Sequence, residues 1–185
     1  QKYLFDVWAD ANVAVVPDML WDIKRLWSMA ELKKSYQALF ARLNVVAPDR
    51  SIVFHISQYQ IRQETVKSLA KQLDDIAQHV NARPILIALE RSCGDDVFIQ
   101  AVGAKMFSQP IVISQPRSLK EVTACFAFAA NYVGCSADAL MVAAAFDIPG
   151  VIVAQSALRQ CVGFESLSKR ANIIVKDWDQ ALDGL

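Results

Sequence analysis

The sequence carries no excess of charge of either sign: 19 lysines and arginines stand against 19 aspartates and glutamates across 185 residues. A chain without net positive charge lacks the cationic surface by which proteins displace counterions from nucleic acid, so no nucleic-acid partner is expected. The acidic residues are dispersed, which argues against an acidic tail or a calcium loop. Cysteine is scarce as well. Its four copies, Cys93, Cys125, Cys135 and Cys161, form no CxxC pair, and neither His55 nor His79 stands at zinc-ligand spacing from a cysteine pair. They read as reduced thiols in or near the core of a cytosolic protein, and no metal or cofactor is expected. Long hydrophobic runs are missing: Val122 to Val133 is broken by Asn131 and falls short of the roughly 18 apolar residues that span a bilayer. The common dinucleotide, P-loop, nucleophile-elbow and zinc-protease signatures are absent, as are internal repeats and low-complexity tracts. The chain begins at Gln1, which reads as a trimmed N-terminus with a targeting segment or a whole preceding domain ahead of it.

What is present is apolar residue in quantity, 54% of the chain, enough for a core with two faces. It is distributed as alternating strands and helices. Ser51–Ile56 reads as a strand, and Arg62 to Val80 places Val66, Leu69, Leu73, Ile76 and Val80 on one helical face. Asn81 is a left-handed stop signal. Pro84–Leu89 is apolar on both faces, as a central parallel strand should be. The pattern continues with a helix capped by Asp95 and running to about Phe107. Next come a strand at Ile111–Ile113, a helix at Leu119–Ala130 capped by Ser118, and a strand at Asn131–Val133 ending at Gly134. An Ala-rich helix at Ala137–Phe146, strands at Gly150–Ala154 and Ile173–Val175, and a final helix capped by Asp177 complete it. Parallel strands need such crossovers, which are almost always right-handed. The expectation is an α/β fold: a doubly wound, mostly parallel, Rossmann-like sheet of about six strands in order 3-2-1-4-5-6, with helices on both faces. Residues 1–48 differ. They read as a strand at Asn12–Val16 and a helix at Ala30–Leu43 with Leu32, Tyr36, Leu39 and Leu43 on one face, either an addition to the main domain or the remnant of a preceding one; residues 49–185 form the Rossmann-like domain.

In this order the sheet reverses between Ser51–Ile56 and Asn131–Val133, and a crevice opens at their C-terminal ends, near the loops after Ile56 and Val133. Three groups of residues fall there. Gly134-Cys135-Ser136-Ala137-Asp138 opens a helix whose free N–H groups suit a phosphate or carboxylate; it also reads as an ordinary helix start capped by Ser136. Arg91 to Asp96 follows the second strand, with Arg91 suited to clamp an anion and Asp95 and Asp96 to orient a sugar hydroxyl or act as base; it also reads as a surface loop. His55 is either a hydrogen-bonded core residue or a group at the switch point.

Four stretches, Val15-Val16-Pro17-Asp18 with Trp21 to Trp27, Arg91 to Asp96, Pro116-Arg117-Ser118-Leu119, and Tyr132-Val133-Gly134-Cys135-Ser136 through Ala145-Phe146-Asp147-Ile148-Pro149, resemble the C-terminal half of the polysaccharide pyruvyl transferase family. The resemblance implies a two-domain fold like that of GT-B glycosyltransferases. It also implies transfer of a pyruvyl group from phosphoenolpyruvate to a sugar of a cell-surface polysaccharide, in the cytoplasm or at the inner face of the membrane. In this picture Arg91 and the Gly134–Asp138 helix start bind the donor anion and His55 or Asp95 lines the acceptor side; Asp138, His55 and Asp95 are the catalytic candidates, and Arg91, Gly134, Cys135, Ser136 and Asp96 the substrate-binding ones. The family's Leu-His is Ala137-Asp138 here, a histidine of the Arg91 loop is Cys93, and the glycine of the Gly-(Val/Ile)-Pro turn is Asp147. An aspartate facing an anionic donor repels it. The departures admit a non-catalytic sugar- or nucleotide-sugar-binding or scaffold module, or a GT-B glycosyltransferase or epimerase domain.

Overall fold

A computed structural model describes residues 19–57, 65–89, 94–153, 172–175, 177–182 and 185. Strands β1 (Ser51–His55), β2 (Arg83–Ile87), β3 (Ile111–Ile113), β4 (Asn131–Gly134), β5 (Gly150–Val153) and β6 (Asn172–Val175) form one sheet in the order β3-β2-β1-β4-β5-β6. Every neighbouring pair is parallel. The doubly wound α/β class follows from this directly. Helices α1 (Met29–Arg42), α4 (Leu119–Ala127) and α5 (Ala137–Ala145) share one core with Val53, Ile85, Ile87 and Ile152; α2 (Val66–His79) and α3 (Asp95–Gly103) share the other with Ile52, Phe54, Leu86 and Val151. Successive strand residues thus divide between the faces, as the pleat requires. In the N-terminal part, Leu32, Tyr36, Leu39 and Phe40 of α1 lie in the same core as Phe126 and Leu140, and Arg42 holds Glu121 of α4 at 2.8 Å. Among the described residues no helix is long and apolar enough to cross a membrane.

Helix termini follow the capping chemistry, with informative exceptions. Ser118 and Ser136 accept the N–H of Glu121 and Ala139, as N-caps do. Asn81 adopts φ 48° and closes α2. A capping box between Ser28 and Glu31, not anticipated, starts α1. Helix α2 begins at Val66 and not at Arg62, because Thr65 is extended and caps it by accepting the Ser68 N–H. Asp95 does not cap α3: Gly94, at φ 74°, is the N-cap, and Asp95 is the first helical residue. That helix ends at Gly103, short of Phe107, since Asp74 of α2 takes the N–H groups of Phe107 and Ser108 at 2.7 and 3.1 Å. Helix α4 ends at Ala127, short of Ala130, whose N–H already donates to Ser51 O at 2.7 Å. Asp177 accepts the Gln180 N–H, but what it starts is one 3-10 turn, Asp179–Ala181. The expected strand at Asn12–Val16 lies outside the described residues.

Candidate functional site

Strands β1 and β4 are adjacent, with His55 in register with Gly134. To one side of this pair run β2 and β3, to the other β5 and β6. Crossovers leaving β1 and β4 therefore go to opposite faces, and their helices diverge at the C-terminal edge. The site candidates collect at this edge.

His55 ends β1 and is 4% exposed; Asp95 opens α3 and is 1% exposed. His55 Nε2 lies 3.4 Å from Asp95 Oδ2. That is within reach of an ion pair but long for a hydrogen bond, and neither His55 nitrogen nor Asp95 Oδ1 has a hydrogen-bond partner among the described residues. Asp95 reaches inward because Gly94 takes a left-handed turn just before it, which tips the first turn of α3 toward β1. A carboxylate in that first turn is favoured by the helix dipole. Burying two polar groups with incomplete hydrogen bonding is costly, and such arrangements concentrate where a protein does chemistry.

The β4–α5 turn completes the edge. Cys135 N–H donates to His55 O at 3.0 Å, tying the two strand ends together. Burial pushes the Cys135 thiol up to about 12, helped by the nearby Asp95 carboxylate and opposed by a hydrogen bond with the Ser57 backbone. The group is a packed thiol. At Gly134 a Cβ would stand 2.5 Å from the Tyr132 hydroxyl and 2.6 Å from His55 O. Tyr132, which sequence reasoning passed over, is fully buried against Phe126 with ring centroids 5.4 Å apart. Its hydroxyl accepts from Ser136 N–H at 3.4 Å and donates to Ser136 O at 3.2 Å. Its sequence signals were its place two residues before Gly134, on the same side of the strand, and its position at the head of the Tyr132–Ser136 stretch. Ser136 N–H is bonded to Tyr132 and Ala139 N–H to Ser136 Oγ, which leaves Ala137 and Asp138 as the other N–H groups of the first turn of α5. The Asp138 side chain is exposed at the same turn.

The structure thus brings together His55, Asp95, Gly134, Cys135 and Ser136, with Asp138 at the rim. Asp96 Oδ1 accepts the N–H of Val97. Arg91 and Cys93 lie outside the described residues. His79 is exposed in the last turn of α2. No group of three potential metal ligands occurs among the described residues. An open groove of about 470 Å³ near Asp74, Gln78, Arg83 and Phe107 lies at the start of β2, the opposite end of the sheet. Its acidic group, Asp74, is occupied by the backbone of Phe107 and Ser108, so the groove is not where the chemistry collects.

No protein-family model matches the chain, and no curated protein matches it in sequence. Solved structures match its fold. The UDP-GlcNAc 2-epimerase of Methanocaldococcus jannaschii, in complex with UDP-GlcNAc and UDP, superposes with a TM-score of 0.61 at 13% identity, over 92% of this chain and 46% of that one. The ADP-heptose LPS heptosyltransferase II of E. coli gives 0.58 at 12% identity, over 85% and 50%. The wall teichoic acid polymerase TagF gives 0.52 at 9%, over 98% and 46%. The fold is that of GT-B-like glycosyltransferases and epimerases. The chain spans about half the length of these proteins.

Proposed function

We infer that this chain forms the nucleotide-sugar-binding half of a two-lobed enzyme that transfers or epimerises a sugar. The observation that carries the reading is the meeting of the buried His55–Asp95 pair with the start of α5 at the point where the sheet reverses. Open α/β sheets bind ligands at such a point. A helix start suits a diphosphate, and the fold is shared with an epimerase that binds UDP-GlcNAc. In this reading the Ala137 and Asp138 N–H groups hold a phosphate, Arg91 clamps it, and Ser136 keeps the turn in place. His55 faces the reacting end of the diphosphate, and Asp96 the sugar hydroxyls. The protein is soluble and works in the cytoplasm.

One observation supports pyruvyl transfer as a second reading. Asp147 adopts φ 58°, the left-handed conformation that a glycine takes most readily, at the turn where the resembled family has glycine. That reading predicts phosphoenolpyruvate as donor and a glycan as acceptor.

Thermal denaturation with UDP-GlcNAc, UDP, an ADP-sugar and phosphoenolpyruvate separates the two. A nucleotide ligand at a hundred times its Kd should stabilise the fold by about 2.7 kcal/mol. Stabilisation by phosphoenolpyruvate alone transfers the assignment to pyruvyl transfer. Binding of a nucleotide-sugar without turnover in the full-length protein makes the chain a binding module. No stabilisation by any of the four removes both enzymatic readings.

A further inference from the structure

We propose that the edge of the sheet opposite the crevice is a docking surface for a second copy of this chain, with Phe107 of each copy seated in the groove of the other. No residue of the crevice takes part, so the proposal stands apart from the nucleotide-sugar reading.

The segments that enter β1, β2 and β3 lie side by side along this edge, because the three strands are parallel neighbours. Hydrogen bonds join them into one surface. Arg83 N–H donates to Arg50 O at 3.0 Å, Arg50 Nε to Val80 O at 3.1 Å, and a guanidinium nitrogen of Arg83 to Gln109 O at 3.2 Å. On this surface stand Phe107, 92% exposed, and Val46, 88% exposed, the two most exposed large apolar side chains among the described residues. Phe107 is firmly presented. Asp74 of α2 accepts the N–H of Phe107 at 2.7 Å and of Ser108 at 3.1 Å, and the Ser108 hydroxyl as well. The backbone under the ring is thus ordered before a partner arrives, which lowers the entropic cost of association.

Beside the ring runs the open groove of about 470 Å³, to which Ala77, Ala82 and Pro84 contribute apolar surface. Its charged members are Asp74 and Arg83, one of each sign, and neither has an ionic partner among the described residues. Nearby, exposed Arg50 is balanced by its neighbour Asp49. A partner of one charge sign gains nothing here, whereas a copy of the same surface matches it. About a twofold axis, Phe107 of each copy enters the groove of the other and Arg83 of each faces Asp74 of the other, as a self-complementary contact requires. The two rings bury about 400 Å², at about 200 Å² each. Val45, Val46 and the groove walls add to this, toward the roughly 1,200 Å² at which stable interfaces begin. The dimer is therefore a reversible one, with a Kd on the order of tens of micromolar. Its two crevices face away from each other and stay open.

Sedimentation velocity of the full-length protein, from about 5 to about 500 µM, tests this. Wild-type protein should pass from monomer to dimer across that range without larger species, since a twofold contact closes on itself. Phe107→Ser should weaken dimerisation about tenfold or more, as loss of an aromatic anchor does. Its urea midpoint should match the wild type, because the side chain is almost wholly exposed in the single chain. Arg83→Glu should also weaken the dimer, by a factor that shrinks as salt is added. Leu26→Ser removes another exposed apolar side chain, next to the start of α1, and should leave dimerisation unchanged. A protein that remains monomeric up to about 500 µM overturns the proposal. A dimer that Phe107→Ser leaves intact, or that Leu26→Ser weakens equally, overturns it too, since association then runs through another surface or through general adhesion.

Discussion

His55, at the end of β1, holds its Nε2 3.4 Å from Oδ2 of Asp95, the first residue of α3. The contact joins a strand to a helix on the far side of a crossover, and both side chains are withdrawn from solvent. Asp95→Ala leaves His55 without its partner in a buried setting. The expected loss is about 1–3 kcal/mol, the range for leaving a buried polar group without its partner. Urea denaturation at pH 7 measures it, and a loss under about 0.5 kcal/mol, the level of an ordinary surface substitution, would show that the pair does not hold α3 to β1.

Gly134→Ala should destabilise the fold by about 1–3 kcal/mol, as overpacking does. The new methyl meets the Tyr132 hydroxyl at 2.5 Å and the His55 carbonyl at 2.6 Å, and the second of these is backbone that cannot swing away. Tyr132→Phe in the same chain removes the hydroxyl clash and leaves the ring carbon Cζ, 2.8 Å from the new methyl, to shift. The double variant should recover part of the loss, and a double-mutant cycle in chemical denaturation gives the coupling. Strict additivity would mean that the methyl finds another path.

Burial holds Cys125 and Cys135 up to about 12, and Tyr36 likewise up to about 12. In an unfolded chain the thiols lose their protons near pH 8.5. The folded state therefore binds more protons than the unfolded one from about pH 9 upward, and stability should fall with rising pH between there and about 12. Urea midpoints from pH 7 to 10.5 should decline over the alkaline part only. Peptide mass spectrometry after iodoacetamide at pH 8 should find Cys125 and Cys135 unmodified in native protein and modified in urea. Native labelling of Cys135 would contradict its packed position.

Asp138 places an exposed carboxylate in the first turn of α5. There it favours the helix dipole and opposes an anionic ligand. Asp138→Asn should tighten binding of UDP or pyrophosphate about two- to fivefold, the equivalent of 0.3–1 kcal/mol at a helix N-terminus, while lowering helix stability by a similar amount. Calorimetry at low and high salt checks it, since the gain should shrink as salt screens the repulsion. Unchanged affinity at low salt would place the anion away from α5.

The order of the strands, the division of helices between two faces, and the caps at Ser118, Ser136 and Asn81 were all legible in the sequence. These features depend on apolar period, on bonds between a side chain and the backbone a few residues away, and on the handedness of crossovers, all written locally. The edge where His55 and Gly134 meet was legible too, because a strand order implies a point of reversal. The way these residues touch was not. Asp95 carries the local signature of a cap, and only the left-handed Gly94 before it turns the side chain onto His55. Gly134 reads as the opening of a helix start, and only the structure shows the Tyr132 hydroxyl packed close against it. Each contact joins groups whose distance is set by strand register and by the angle at which a helix leaves the sheet. Such distances belong to the packed chain, and no stretch of sequence encodes them alone.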